Sequence, residues 1–178
     1  MTSITSIEAL IDCFEQAQPT QQVGVLKRMD IAPAEFEHYS SWAAADYTRN
    51  CIARNDDFEF ILICWDAGAK TPLHGHQGQD CWMCHISGVV SEQRFDRTAD
   101  GFKLTNETLL SQGRLTYMHD KMGYHTIENR SGQRAMTLHV YAKPIDHCRV
   151  FNSKKDCFET KTMTYDTVSD LSAQQSAG

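Results

Sequence analysis

The chain has 178 residues, 41% of them hydrophobic, which is enough for one domain with a real core. Its formal net charge of −6, with no cluster of Lys and Arg, argues against nucleic acid and anionic membranes as partners. No apolar run approaches the roughly 20 residues a membrane helix needs; the longest, Phe60 to Trp65, is the length of a buried strand. The first residues, MTSITSIEAL, lack a basic region followed by an apolar stretch, so no export signal is read and a cytoplasmic location is expected. The seven cysteines are irregularly spaced, with a single CxxC at Cys81 and Cys84. A zinc ribbon needs two such pairs, so structural zinc is not expected, and the thiols are expected to be reduced.

Residues 1–45 are predicted to be helical. Ile4, Ile7, Leu10, Ile11 and Phe14 follow helical spacing, with Thr5 or Ser6 as N-cap. A second helix is predicted to start at Pro33, a favoured first-turn residue, and to run through Phe36, Tyr39 and Trp42. From 47 to 165 the texture changes to short β-rich runs separated by Gly, Asp, Asn and Lys: 47–53, 58–65, 80–87, 89–95, 102–110, 114–118, 124–129, 134–142 and 157–165. Many short strands with turn signals between them predict a sandwich or barrel. The tail, 166–178, is rich in Ser, Gln and Ala and is predicted to fray. With no repeat and no linker, 1–165 reads as a single domain.

The segment carrying most chemistry is Gly68-Ala-Lys-Thr-Pro-Leu-His74-Gly75-His76, followed by Cys81 and Gly88. Residues two apart on a strand share a face, so His74 and His76 can chelate one cation. His125, four residues before Asn129, offers a third imidazole on another predicted strand. Three imidazoles can occupy one face of an octahedron and leave the opposite positions open. Imidazole-rich sites suit iron, zinc and copper alike, so the ligands do not name the metal. On the predicted strand 134–142, Thr137, His139 and Tyr141 alternate and face one side. That permits a relay in which Thr137 holds His139 and His139 holds Tyr141.

Residues 68–88 resemble the first cupin motif, G-x5-H-x-H-x3-4-E-x6-G, with Cys81 where the motif has Glu, and His125 with Asn129 resembles the second motif's H-x3-N. The expected fold is therefore mainly β: a cupin, or jelly-roll, barrel with N-terminal helices. A cupin with Cys in place of Glu resembles the cysteine dioxygenase family. Tyr47-Thr-Arg-Asn50, Ile63-Cys-Trp65, Leu138-His-Val-Tyr141 and Thr162-Met-Thr-Tyr165 resemble that family's landmarks, in order.

The resemblance implies Fe(II) on His74, His76 and His125, and Arg49 as the anchor of a substrate carboxylate. It places Tyr141 beside the iron, where a cysteine at the Cys81 position can be joined to it by a thioether, with His139 and Thr137 behind it. Tyr47 and Trp65 are expected to line the pocket. The chain departs from the family pattern at Thr137, where Ser stands, and at Ala142-Lys143-Pro144, where the pattern reads Ser-Pro-Pro. The implied activity is oxidation of L-cysteine by dioxygen to cysteine sulfinic acid, in a monomer whose partners are a small thiol and O2. Two alternatives stand beside it. A dioxygenase for 3-mercaptopropionate or mercaptosuccinate is disfavoured for the former, because its enzymes commonly carry Gln at the Arg49 position. A non-catalytic metal-binding cupin has no use for the His139–Tyr141 pair.

Overall fold

The computed structural model describes residues 2–111 and 113–175. Its N-terminal part contains three short helices: α1 (Ile7–Glu15), α2 (Gln22–Leu26) and α3 (Pro33–Glu37). Ser6 caps α1, its hydroxyl accepting from the Ala9 amide at 3.2 Å. Ile4 lies outside the helix, in a bridge with Met29. Pro33 does open α3, but the helix ends at Glu37, so Tyr39 and Trp42 follow it as irregular chain. The turn of helix in 22–26 has no strong periodic pattern and was not legible.

Among the described residues twelve strands follow: β1 (Tyr47–Arg54), β2 (Glu59–Trp65), β3 (His74–Gly75), β4 (Cys81–Ser87), β5 (Val90–Thr98), β6 (Gly101–Leu110), β7 (Leu115–Met118), β8 (Tyr124–Glu128), β9 (Ala135–Tyr141), β10 (His147–Asn152), β11 (Cys157–Thr162) and β12 (Thr167–Val168). They form two six-stranded sheets, ordered β12-β1-β2-β9-β4-β7 and β11-β10-β3-β8-β5-β6. Sheets that face one another across alternating strands make the expected jelly roll.

The first sheet is a middle layer, which explains why β2 and β9 are buried along their whole length. Along β2, Phe60, Leu62 and Cys64 face the helices, while Ile61, Ile63 and Trp65 face the second sheet. Along β9, Met136, Leu138 and Val140 join the helix-side core, and Ala135 and Tyr141 the inner one. The period of two thus sorts one continuous apolar run onto two cores.

Residues 166–175 correct the expectation of a frayed tail. Thr167–Val168 pair in parallel with β1, and helix α4 (Asp170–Gln175) follows. The polar composition conceals them because their anchors are backbone hydrogen bonds to β1, such as Ser169 N–H to the Cys51 carbonyl at 2.9 Å. Residues 176–178 lie outside the described residues. Among the described residues, no helix is long and apolar enough to cross a membrane.

Phe14 ties the helices to the barrel. It is fully buried and meets Phe58, Phe60 and Trp82 edge-on. Phe14→Ala is expected to lower unfolding stability by about 3–5 kcal/mol, measured by denaturant titration. A loss of less than about 1 kcal/mol would show that the helices are not part of the cooperative unit.

Candidate metal centre

The two sheets divide the site between them. The second supplies imidazoles: His74 on β3 and His125 on β8 are register partners, and His76 lies one residue beyond β3. Their ligand atoms all lie within 4.8 Å of one another, and the Nε2 atoms of His76 and His125 are 3.1 Å apart. The first sheet supplies the facing wall, with Arg49 on β1, Cys81 on β4, and Thr137, His139 and Tyr141 on β9.

Hydrogen bonds set the tautomers. A carbonyl oxygen only accepts, so His74 Nδ1–H donates to Pro72 O at 3.0 Å and leaves Nε2 as a lone pair. His125 Nδ1–H donates likewise to Glu92 Oε1 at 2.9 Å. Burial pushes all three histidines below the usual imidazole range, those at 76 and 125 well below it, so they are neutral. Neutral imidazoles in a dry interior, two of them with nitrogens 3.1 Å apart, are arranged as neighbouring ligands of one ion are: nitrogens about 2.1 Å from a shared metal stand about 3 Å from each other. The residues present therefore fit a metal.

A pocket opens beside the triad. Tyr47, Arg49, His74, His139, Tyr141 and Cys148 are among its lining residues, and it encloses about 440 Å³ including its mouth. Arg49 is buried; its Nε donates to Thr164 O at 3.1 Å, and its Nη2 has no hydrogen-bond partner among the described residues. Cys81 and Tyr141 are direct register partners across β4 and β9, which brings the two side chains side by side. Burial raises both the thiol and the phenol, so both are protonated.

A family profile described as Cysteine dioxygenase type I matches residues 1–154. The chain belongs to that family. Cysteine dioxygenase type 1 of Rattus norvegicus is 29% identical over 146 residues, covering 79% of this chain and 73% of the rat protein. The Danio rerio protein of the same name is 27% identical over 172 residues, covering 90% and 86%. Two solved structures each give a TM-score of 0.51. One, from Thermus thermophilus, is 19% identical and covers 61% of this chain and 93% of its own. The other, a Klebsiella pneumoniae protein with a double-stranded β-helix domain, is 14% identical and covers 71% and 94%. These likenesses show the cupin-type fold. Membership of the cysteine dioxygenase family, with the three-histidine site, supports a cupin thiol dioxygenase with a non-haem metal.

Within this cysteine dioxygenase relative, two expectations need correction. The relay is made only in its first half: Trp65 Nε1–H donates to Thr137 Oγ1 at 2.9 Å, and Thr137 Oγ1 meets His139 Nε2 at 3.0 Å. Among the described residues no hydrogen bond joins His139 to the Tyr141 hydroxyl, and Tyr141 stands opposite Cys81, its register partner across β4 and β9. Trp65 does not line the pocket. It is fully buried behind Thr137 and against the Tyr47 ring, with centroids 5.2 Å apart. Asn129 is a turn clamp rather than a site residue; its amide donates to Gln133 O at 2.7 Å and contacts the Trp65 and Asp66 carbonyls.

Two acidic residues went unread. Glu92 is buried, fixes the ring of His125 and is itself paired with Arg94 at 3.0 Å. Asp120 accepts from the amides of His76 at 2.5 Å and Gly78 at 2.7 Å, holding the loop that presents His76. A Cβ on Gly75 would stand 3.0 Å from Asp120 Oδ1, so the glycine between the histidines makes room for that carboxylate. Neither acid has a periodic or motif signature; only the fold brings them to the histidines.

His74→Ala, His76→Ala and His125→Ala are each expected to abolish tight metal binding, measured as metal content after dialysis. Glu92→Gln should weaken affinity about 10–100-fold, because an amide holds the ring less firmly than a carboxylate. Undiminished metal content in the His76 or His125 variant would dismiss the triad.

Proposed function

We propose that the protein is an iron-dependent dioxygenase of free L-cysteine, adding both oxygen atoms of O2 to the sulfur and releasing cysteine sulfinic acid. The observation that carries this reading is the buried, unpartnered Nη2 of Arg49 in the same pocket as His74, His139 and Tyr141. A guanidinium nitrogen out of water without a partner is costly, and a carboxylate satisfies it. A small molecule that puts a carboxylate on Arg49 and a thiol toward the histidines is a short thiol amino acid.

Iron held by His74, His76 and His125 would supply the redox chemistry and the open positions that bring thiolate and dioxygen together. The other residues orient and exclude. Arg49 fixes the carboxylate end, with Tyr47 as a neighbouring wall. Thr137 holds the ring of His139, which burial and then the Arg49 charge keep neutral, at about 3. Tyr141 lines the pocket with a protonated hydroxyl, since burial pushes it well above the usual phenol range. The direct pairing of Cys81 with Tyr141 favours a thioether between the sulfur and the ring carbon beside the hydroxyl, with dioxygen as the oxidant that takes up the two hydrogens. Such a link would pin the phenol and alter rates by modest factors. Lys161, at the same pocket, supplies a second cation and makes mercaptosuccinate, a dicarboxylate thiol, the next reading.

The test is anaerobic reconstitution with Fe(II), then a panel of L-cysteine, 3-mercaptopropionate, mercaptosuccinate and cysteamine. Cysteine should give the highest kcat/KM, and cysteamine, which lacks the carboxylate, should be poor. Arg49→Ala should lower kcat/KM for cysteine by roughly 30-fold or more. An Arg49→Ala enzyme as efficient as the wild type would remove the anchor, and a higher kcat/KM for another thiol would replace the substrate. For the thioether, the readout is peptide mass after aerobic turnover. A peptide joining Cys81 to Tyr141 is expected; only separate, unmodified peptides would dismiss the link.

A further inference from the structure

Arg49 is not held by the barrel alone. The segment that follows β11 runs back along β1 as a strap. Thr164 O accepts from Arg49 Nε at 3.1 Å, Asp166 Oδ2 accepts from the Arg49 amide at 2.8 Å, and the Asp166 amide donates to Arg49 O at 2.8 Å. Thr164 and Asp166 are exposed, and Tyr165 between them points inward. Its hydroxyl meets Oε1 of Glu59, a fully buried carboxylate outside the metal site, and accepts from Arg54 Nη1 at 2.6 Å. Glu59 also accepts from the Ile145 amide at 3.2 Å and pairs with Arg54 at 3.4 Å, while Arg54 reaches Asp146 at 2.6 Å. The Tyr165 ring lies 5.9 Å from the Arg49 guanidinium carbon and 6.0 Å from that of Arg54. A buried carboxylate is retained only where donors satisfy it, and here the donor that comes from the strap is Tyr165.

We infer that Glu59 and Tyr165 form a buckle that closes the strap on β1 and thereby positions the Arg49 guanidinium for the substrate carboxylate. Both are positioning residues: neither lines the pocket beside the histidines. The inference rests on the reading of Arg49 as carboxylate anchor. It assigns the strength of carboxylate selection to a contact made on the far side of Arg49 from the substrate. Removing one hydroxyl from the buckle frees the strap, lets the guanidinium wander, and weakens carboxylate binding without touching metal or thiol.

The experiment uses iron-loaded wild type, Tyr165→Phe and Glu59→Gln with two readouts. Amide hydrogen exchange at Asp166 and Ser169, both bonded to β1, should accelerate in Tyr165→Phe. The ratio of kcat/KM for cysteine to that for cysteamine should fall about tenfold in the same variant, through KM for cysteine, with kcat and metal content unchanged. Glu59→Gln keeps an acceptor for the Tyr165 hydroxyl and should retain most of the ratio. Unchanged exchange in Tyr165→Phe overturns the buckle, and faster exchange with an unchanged ratio overturns its positioning role. A wild type that does not prefer cysteine to cysteamine overturns the Arg49 reading instead, while exchange at the strap still decides whether the buckle exists.

Discussion

Three neutral imidazoles held toward one point, those of His76 and His125 buried and that of His74 at the wall of the pocket, are the arrangement on which the site depends. Lone pairs converging within 4.8 Å repel unless a cation or protons stand between them, and at His76 and His125 burial leaves little water to do so. The protein invests heavily in keeping them there. Pro72 O and Glu92 each take a ring N–H, Asp120 clamps the backbone of His76, and Gly75 leaves space for that clamp. Such investment is the physical signature of a metal site, where partners behind the ligands fix both tautomer and aim.

The division of labour between sheets follows from the fold. A jelly roll faces two sheets across a thin interior, so ligands placed on one sheet look directly at the other. His74 on β3 and His125 on β8 therefore confront Arg49, Cys81, His139 and Tyr141 on β1, β4 and β9. The helices cover the outer face of the first sheet, which makes that sheet a rigid middle layer. Thr137, His139 and Tyr141 then stand on a strand buried along its whole length and paired on both sides, as precise placement of polar groups requires. The polar column is tolerable because its members find partners: Trp65 for Thr137 and Thr137 for His139.

Much of this was legible in the sequence. The strands on either side of the site were read nearly to their ends because each alternates or is continuously apolar, and the histidines were found through their spacing. Elements held chiefly by backbone bonds escaped: β3 has only two residues, β10 was not distinguished, and β12 lies in a polar tail read as frayed. Glu92, Asp120 and Glu59 escaped for another reason. An acidic residue among 23 carries no mark of burial until the fold surrounds it with donors. Strand periodicity does bring Thr137 to His139 at 3.0 Å, but it does not carry the chain of hydrogen bonds on to Tyr141, which stands opposite Cys81 on β4.

The central claim is that this pocket adds both atoms of dioxygen to the sulfur of a carboxylate-bearing thiol. Turnover of L-cysteine by the iron-loaded enzyme under isotopically labelled dioxygen, with mass analysis of the product, tests it most directly. The account predicts cysteine sulfinic acid carrying two labelled oxygens. Cystine as the product, or sulfinic acid with one oxygen drawn from water, would contradict it.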